Sequence, residues 1–167
     1  MIIRYFCQSD FVKVQAIYQQ GIATANATFQ TSPKSWQQWQ DSMIEASVLV
    51  SVDSESQKKQ LKGWAGLSPV STRAVYSGVA EVSIYVAQGA TGMGIGSQLM
   101  AALIERAESL GFWTMQAAIF PENELSIALH IKFGFTIIGQ RKAIAKLQGK
   151  WRDVVLLERR STLVGVD

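Results

Sequence analysis

Apolar residues recur along this chain in two rhythms, at every second position and at every third to fourth. The alternating rhythm is plainest in "VAEVSIYV", 79–86, where Val82, Ile84 and Val86 fall on one side and Glu81, Ser83 and Tyr85 on the other. That period predicts a strand with two unlike faces. The β-branched and aromatic runs "IIRYF", "SVLVSV", "LKGWAGLSPV", "FWTMQAAIF", "FTIIGQRKAIAKLQ" and "KWRDVVLLERR" predict further strands, the last two meeting around Gly149. Helical spacing appears in "SDFVKVQAIYQQGI", with Phe11, Val14, Ile17 and Tyr18 on one stripe and Ser9 or Asp10 as N-cap. "SPKSWQQWQDSMIEA" predicts a second helix, capped by Ser32, with Pro33 in its first turn and Trp36, Trp39 and Met43 on one face. "GSQLMAALIERAESL" closes at Gly111, and "NELSIALHIKF" at Gly134.

The elements run β, α, α, three strands, α, β, α and two strands. The charged turn "DSESQKKQ" joins the second and third strands as an antiparallel hairpin. The two strand–helix–strand units predict parallel neighbours. The expected fold class is therefore α/β, a mixed sheet covered by helices. No repeat and no linker composition divides the chain, so residues 1–167 are expected to form a single domain.

Composition narrows the chemistry. Of 167 residues, 48% are apolar and 17% charged, the balance of a folded domain with one core. A net charge of +3 is mild, and no basic run is interleaved with aromatics, which argues against a nucleic-acid partner. The lone cysteine, Cys7, permits no internal disulfide and is expected to be a buried, inert thiol. The lone histidine, His130, excludes metal sites built on several histidines and serine triads needing a second one, and no metal is expected. "MIIRYFCQSD" lacks the apolar core of a signal peptide, and no apolar run reaches the roughly 18 residues that span a bilayer. A soluble, cytoplasmic protein without a membrane partner is expected.

The strand 79–86 runs into "YVAQGATGMGIGSQLM", where Gly92, Gly94 and Gly96 occupy a strand-to-helix turn. Backbone N–H groups freed of side chains, together with the positive end of a helix, form a cradle for a diphosphate. A nucleotide P-loop needs a Lys, which "GIGSQ" lacks. A dinucleotide fold places its glycines after the first strand, with an acidic residue about 20 residues on. Neither pattern fits; an acyl-coenzyme A cradle and a tight turn without ligand both remain.

"YVAQGATGMGIGSQLM" resembles the coenzyme A loop of the GNAT superfamily of N-acetyltransferases, Gln/Arg-x-x-Gly-x-Gly/Ala, with Thr91 standing where Gln or Arg is usual. Downstream, "FPENELSIALHIKFGF" is similar to the superfamily's Asn-x-x-Ser-x-x-Leu-(His/Tyr)-x-x-x-Gly-Phe helix. "AIYQQGIATANATFQTSP", "GWAGLSPVSTRAVYSGVAEVSIYV" and "GKWRDVVLLERR" extend the likeness to the phosphinothricin-type and methionine-sulfoximine-type branch, over roughly residues 2–160.

The resemblance implies an acyl-CoA N-acyltransferase fold, with a mostly antiparallel sheet splayed near the coenzyme. It implies acetyl-CoA as co-substrate and a small amine acceptor such as phosphinothricin, methionine sulfoximine or methionine sulfone. A detoxifying role and a homodimer follow by the same likeness. It assigns the coenzyme to Thr91, Gly92, Met93, Gly94, Ile95, Gly96 and Ser97, to the backbone of Ile84, Tyr85 and Val86, and to Asn123 and Ser126. Asn123 can also be simply an N-cap. Glu81 is the candidate general base, because an ammonium must lose a proton before it attacks. His130 either protonates the leaving thiolate, bonds to the pantetheine, or is structural. Arg73 suits a carboxylate on the acceptor. Phe29 is an acceptor wall or a core contact, and Tyr76 a weaker candidate for the same pocket. Trp151 is expected in the core, with Asp153 beside it near the site or a dimer contact. Cys7 is badly placed for an acyl intermediate, so direct transfer is expected. The alternatives are acetylation of a protein N-terminus or lysine, and a non-catalytic acyl-CoA-binding domain, which would need neither Glu81 nor Arg73.

Overall fold

The alternating segment predicted over 79–86 lies at the middle of a seven-stranded sheet. The computed structural model describes residues 1–53 and 60–167. Its strands are β1 (Ile2–Tyr5), β2 (Leu49–Val52), β3 (Leu61–Pro69), β4 (Val79–Val86), β5 (Thr114–Ile119), β6 (Thr136–Leu147) and β7 (Lys150–Arg160). Its helices are α1 (Phe11–Ala23), α2 (Trp36–Ser42), α3 (Ile95–Ser109) and α4 (Glu124–Lys132). The sheet order is β1-β2-β3-β4-β5-β7-β6, and every neighbouring pair is antiparallel except β4–β5. Most of the charged turn predicted over 53–60 lies outside the described residues.

The two faces of β4 separate two cores. Val82, Ile84 and Val86 pack with Leu99, Met100 and Leu103 of α3. On the opposite face Tyr85 joins Val14, Ile17 and Tyr18 of α1, Trp39 of α2 and Trp64 of β3. Trp64 stacks on Tyr85 at 5.1 Å and lies edge-on to Trp39 at 5.0 Å, so an aromatic layer fills the space beneath the first two helices.

Several local expectations are corrected. Asp10 holds the N-cap position of α1 as expected, but its side chain makes no cap hydrogen bond, since a 3-10 turn, Gln8–Asp10, precedes the helix. The Asp10 carboxylate accepts the Cys7 N–H at 3.0 Å and two bonds from Arg4 at 2.7 and 2.8 Å. The second helix begins later than Ser32 and Pro33 suggested. Ser35 is its cap, with Gln38 N–H donating to Ser35 Oγ at 3.2 Å and Ser35 N–H to Gln38 Oε1 at 2.9 Å. That reciprocal capping box outranks a proline two residues earlier. Cys7 is exposed, not buried, since it follows the edge strand β1 into the turn. Trp151 is 61% exposed and sits against the Lys146 ammonium instead of the core.

Only one strand–helix–strand unit yields parallel neighbours. After α4 the chain passes β5 and forms the outer strand β6, and β7 then returns between them, antiparallel to both. A hairpin that inserts its second strand satisfies the β5 edge without a second parallel pair. Among the described residues no helix is long and apolar enough to cross a membrane.

Candidate active site

β4 and β5 are paired only from Val79–Thr114 to Glu81–Gln116. Past that point β4 continues to Val86 and β5 to Ile119 without further pairing, and the strands part. The wedge between them opens into a cavity of about 660 Å³, walled by residues 82–86, by 117–120, by the loop 26–30 and by α4. A sheet that splits in its own plane leaves main-chain groups on the facing edges of both strands free to bind something that is not a strand. Glu81 stands at the apex of the wedge, half-buried, and accepts a 3.2 Å bond from Gln116 Nε2. It also borders a smaller cavity of about 280 Å³, shared with Phe29, Gln116, Ile138 and Arg141.

The glycine turn lies at the outer mouth. Gly92 and Gly94 have φ of +78° and +75°, which residues with a Cβ adopt only at a cost. Gly94 is the N-cap of α3, and no side chain caps the helix there, so its first-turn N–H groups have no side-chain partner of that kind. A Cβ on Gly92 or Gly94 would meet nothing within 4 Å, so backbone conformation and not crowding calls for glycine. Thr91 and Gly96 reach the cavity wall, whereas Gly92, Met93, Gly94, Ile95 and Ser97 do not border it. Ile95 is buried in the core, and Met93 is 55% exposed. The Thr91 hydroxyl donates to Gln88 O at 3.1 Å, so it serves the turn itself. The loop has no cation of its own, but Lys132 of α4 reaches across and donates to Ser97 Oγ at 3.3 Å. Sequence reading missed Lys132 because the contact joins two helices 35 positions apart.

α4 supplies the opposite wall. Asn123 caps it by accepting the Ser126 N–H at 3.3 Å, and its Nδ2 donates to Asn26 O at 3.1 Å, tying the helix start to the loop 26–30. Ser126 and His130 line the cavity one turn apart. The His130 ring is buried against Phe135 at 4.9 Å, and its Nδ1 lies 2.7 Å from Ser126 O. A carbonyl only accepts, so Nδ1 carries the proton. Nε2 then holds a lone pair, buried and without a partner among the described residues. Burial lowers the His130 pKa, outweighing the Ser126 carbonyl. At neutral pH Nε2 is therefore an acceptor.

Phe29 is both core and wall. It lies edge-on to Phe120 at 4.9 Å and borders both cavities. Tyr85 also lines the wedge, and burial raises its pKa, so its hydroxyl stays protonated. Arg152 of β7 fastens the loop by donating to Ala25 O at 2.8 Å, while its guanidinium lies 4.0 Å over the Phe120 ring. Arg73 and Tyr76 are not among the residues that border either cavity; the guanidinium sits over the Tyr76 ring at 5.3 Å. Lys34, which the sequence reading did not single out, does border the main cavity. Asp153 lies away from the cavity, holding a bulge in β6 by accepting Ala143 N–H at 2.7 Å and Gln140 Nε2 at 3.0 Å. Cys7 is absent from both sets of walls.

The chain is similar to known proteins over nearly its whole length. The L-methionine sulfoximine/L-methionine sulfone acetyltransferase of Pseudomonas aeruginosa is 31% identical over 153 residues, 90% of this chain and 88% of that protein. The phosphinothricin N-acetyltransferase of Streptomyces coelicolor is 31% identical over 163 residues, 94% of each. Among solved structures, a phosphinothricin acetyltransferase from Sinorhizobium meliloti in complex with AcCoA superposes with a TM-score of 0.87 at 29% identity, covering 98% of this chain and 90% of that one. A ribosomal-protein-alanine N-acetyltransferase from Brucella melitensis gives 0.85 at 28% identity, covering 96% of this chain and 100% of that one. The sequence pattern of the Acetyltransferase (GNAT) family matches residues 16–135. The splayed sheet, the glycine turn at the start of α3 and this match agree: the chain belongs to the acetyltransferase (GNAT) family.

Proposed function

We propose that this protein moves the acetyl group of acetyl-CoA onto the amino group of a small, amino-acid-like acceptor of the phosphinothricin, methionine sulfoximine or methionine sulfone type, directly, in a ternary complex. The observation that carries this reading is the wedge between β4 and β5. One cavity runs from the glycine turn to a carboxylate at the apex, so a long coenzyme and an amine can meet inside it.

The chain's residues fit the coenzyme. The uncapped N–H groups at the start of α3, the helix dipole and Lys132 suit a pyrophosphate. The unpaired edge of β4 from Val82 to Val86 suits the amides of a pantetheine arm. When bound, acetyl-CoA supplies a thioester whose acyl carbon an amine can attack.

Glu81 then accepts a proton from the acceptor ammonium, directly or through one water; as the free amine forms its C–N bond the C–S bond breaks, and the second proton that the nitrogen loses goes to the departing thiolate. Gln116 is a positioning residue that fixes one Glu81 oxygen. Main-chain N–H groups on the open edge of β4 polarise the acyl carbonyl. His130, neutral and bearing its proton on Nδ1, accepts a hydrogen bond at Nε2, and donates a proton there only after acquiring one. Phe29 and Phe120 form the apolar wall against the acceptor side chain. The exposed apolar edge of β6, with Ile137, Ile138 and Ile144, and Trp151 of β7 are consistent with a homodimer.

Thiol release from acetyl-CoA tests the reading. Methionine sulfone, methionine sulfoximine and phosphinothricin are each offered, beside an alanine-starting peptide. Release with one of the small acceptors is expected. Release with the peptide alone would move the assignment to protein acetylation, and none with any of them would leave a coenzyme-binding domain.

A further inference from the structure

The sequence offered Arg73 as the group that holds an acceptor carboxylate, but in the structure a different cation borders the cavity. Among its described walls Lys34 is the one Lys or Arg and Glu81 the one Asp or Glu. Lys34 is held on both sides. Its carbonyl accepts Gln15 Nε2 of α1 at 2.9 Å, and the next residue, Ser35, caps α2. Its Nζ donates to Ser42 Oγ at 2.8 Å, and Ser42 Oγ donates to Trp39 O at 3.3 Å. An ammonium has three protons, and Ser42 takes one.

Lys34 belongs to none of the ion pairs among the described residues. Its surroundings lower its pKa by burial, and the charge of Glu81 raises it in part. The two groups border one cavity and form no ion pair with each other. A half-buried cation and a half-buried carboxylate that face one space and do not pair leave room for a ligand carrying both opposite charges. An α-amino acid has its ammonium and its carboxylate on one carbon.

We propose that Lys34 binds the α-carboxylate of the acceptor, so that Lys34 and Glu81 together hold an amino-acid zwitterion with its amine turned to Glu81. This rests on the reading of the site as an acetyltransferase with an amino-acid-like acceptor. The other cations nearby are placed differently. Arg152 is committed to Ala25, Asn26 and Glu122, Arg73 lies over Tyr76, and Arg141 borders only the smaller cavity. The phenyl wall of Phe29 and Phe120 is left for the side chain of the amino acid. Lys34 thus makes the site selective for free amino acids over peptides, whose first carboxyl group is an amide.

The test compares methionine sulfone with its α-carboxamide, in the full chain with coenzyme A present, by equilibrium binding and by turnover. Lys34→Met should raise the Kd and KM for methionine sulfone about tenfold or more, the scale of a lost charged hydrogen bond. Its affinity for acetyl-CoA should be unchanged, and the carboxamide should bind wild type and variant alike. Lys34→Arg should keep most of the affinity. If Lys34→Met fails to fold, wild type and Lys34→Arg carry the test: wild type should prefer the acid to the carboxamide, and the preference should survive in Lys34→Arg. Normal methionine sulfone affinity in Lys34→Met, an equal loss for the carboxamide, or a loss confined to Arg73→Ala or Arg141→Ala would overturn the proposal. Binding that depends on Lys34 without any thiol release would uphold it while overturning the enzyme reading. No binding of methionine sulfone, methionine sulfoximine or phosphinothricin by wild type would overturn both.

Discussion

Glu81 is the residue to which the proposed function gives the proton transfer. It stands at the last position where β4 pairs with β5, accepts from Gln116 and borders the cavity. Replacing it by Gln keeps the volume and removes the proposed base. Steady-state turnover should fall about 10²–10⁴-fold at pH near 7, with the KM for acetyl-CoA little changed. The deficit should shrink at high pH, where free amine is abundant; equal turnover at pH near 7 would pass the role to another group. His130 carries a second residue-scale expectation. Burial lowers its pKa below the ordinary 6.5 in the folded state. A depressed folded value means the unfolded chain binds the proton more readily. This contribution to stability is complete above 6.5 and is lost as pH falls through the folded value. Urea midpoints of wild type should decline across that window, and His130→Gln should flatten the decline. A parallel decline in the variant would put the titration elsewhere.

At the scale of elements, the proposed coenzyme site rests on the junction of β4 with α3. Gly94 holds φ at +75° in open space, so Gly94→Val would not collide with the protein. It would instead shift the turn out of the left-handed region and misdirect the first N–H groups of α3. Acetyl-CoA at about 100 times its Kd should stabilise wild type by roughly 2.7 kcal/mol, visible as a rise in Tm. Gly94→Val should lose most of that rise, and a full rise would dissociate the turn from the coenzyme. The junction of α1 with β4 is built by close approach. A Cβ on Gly21 would lie 2.7 Å from Tyr85 Cε1, so glycine there lets the aromatic layer sit directly under the helix and shapes the cavity wall.

For the whole molecule, the far edge of the sheet is secured by an ion pair. Arg4 on β1 grips Asp10 with two bonds, one of them 2.7 Å, and Cys7 N–H adds a third to the same carboxylate. Burial works against the charge, but these bonds outweigh it and lower the Asp10 pKa from 3.8 to about 2. The folded value is depressed, so the stabilisation is present above 3.8 and is lost as pH falls through about 2. Asp10→Asn should cost about 1–3 kcal/mol at neutral pH, toward the lower end because solvent screens the partly exposed Arg4. Chemical denaturation should show the gap closing toward the acid limit. A gap that persists unchanged there would mean the loss is one of packing.

Local periodicity, acting through the shapes of strand and helix, determined the order of elements, the two faces of β4 and the turn that needs positive φ at Gly92 and Gly94. Those features depend on neighbours within a few residues, so the sequence contains them. The position of β7 between β5 and β6 was not legible, because strand order follows from which edges remain unpaired after the chain has crossed. Helix starts were misread where two local signals competed, as at Pro33 and Ser35, and only the formed capping box settled them. Cys7 and Trp151 are apolar in type and exposed in place, since burial depends on the layer above a strand and not on the strand itself. Glu81, Phe29 and His130 could be singled out from motif and chemistry alone. Lys34, Gln116 and Lys132 could not, for each meets the site from a separate segment through a single long side chain. Folding brings such groups together, and nothing in the spacing of the sequence records their distance.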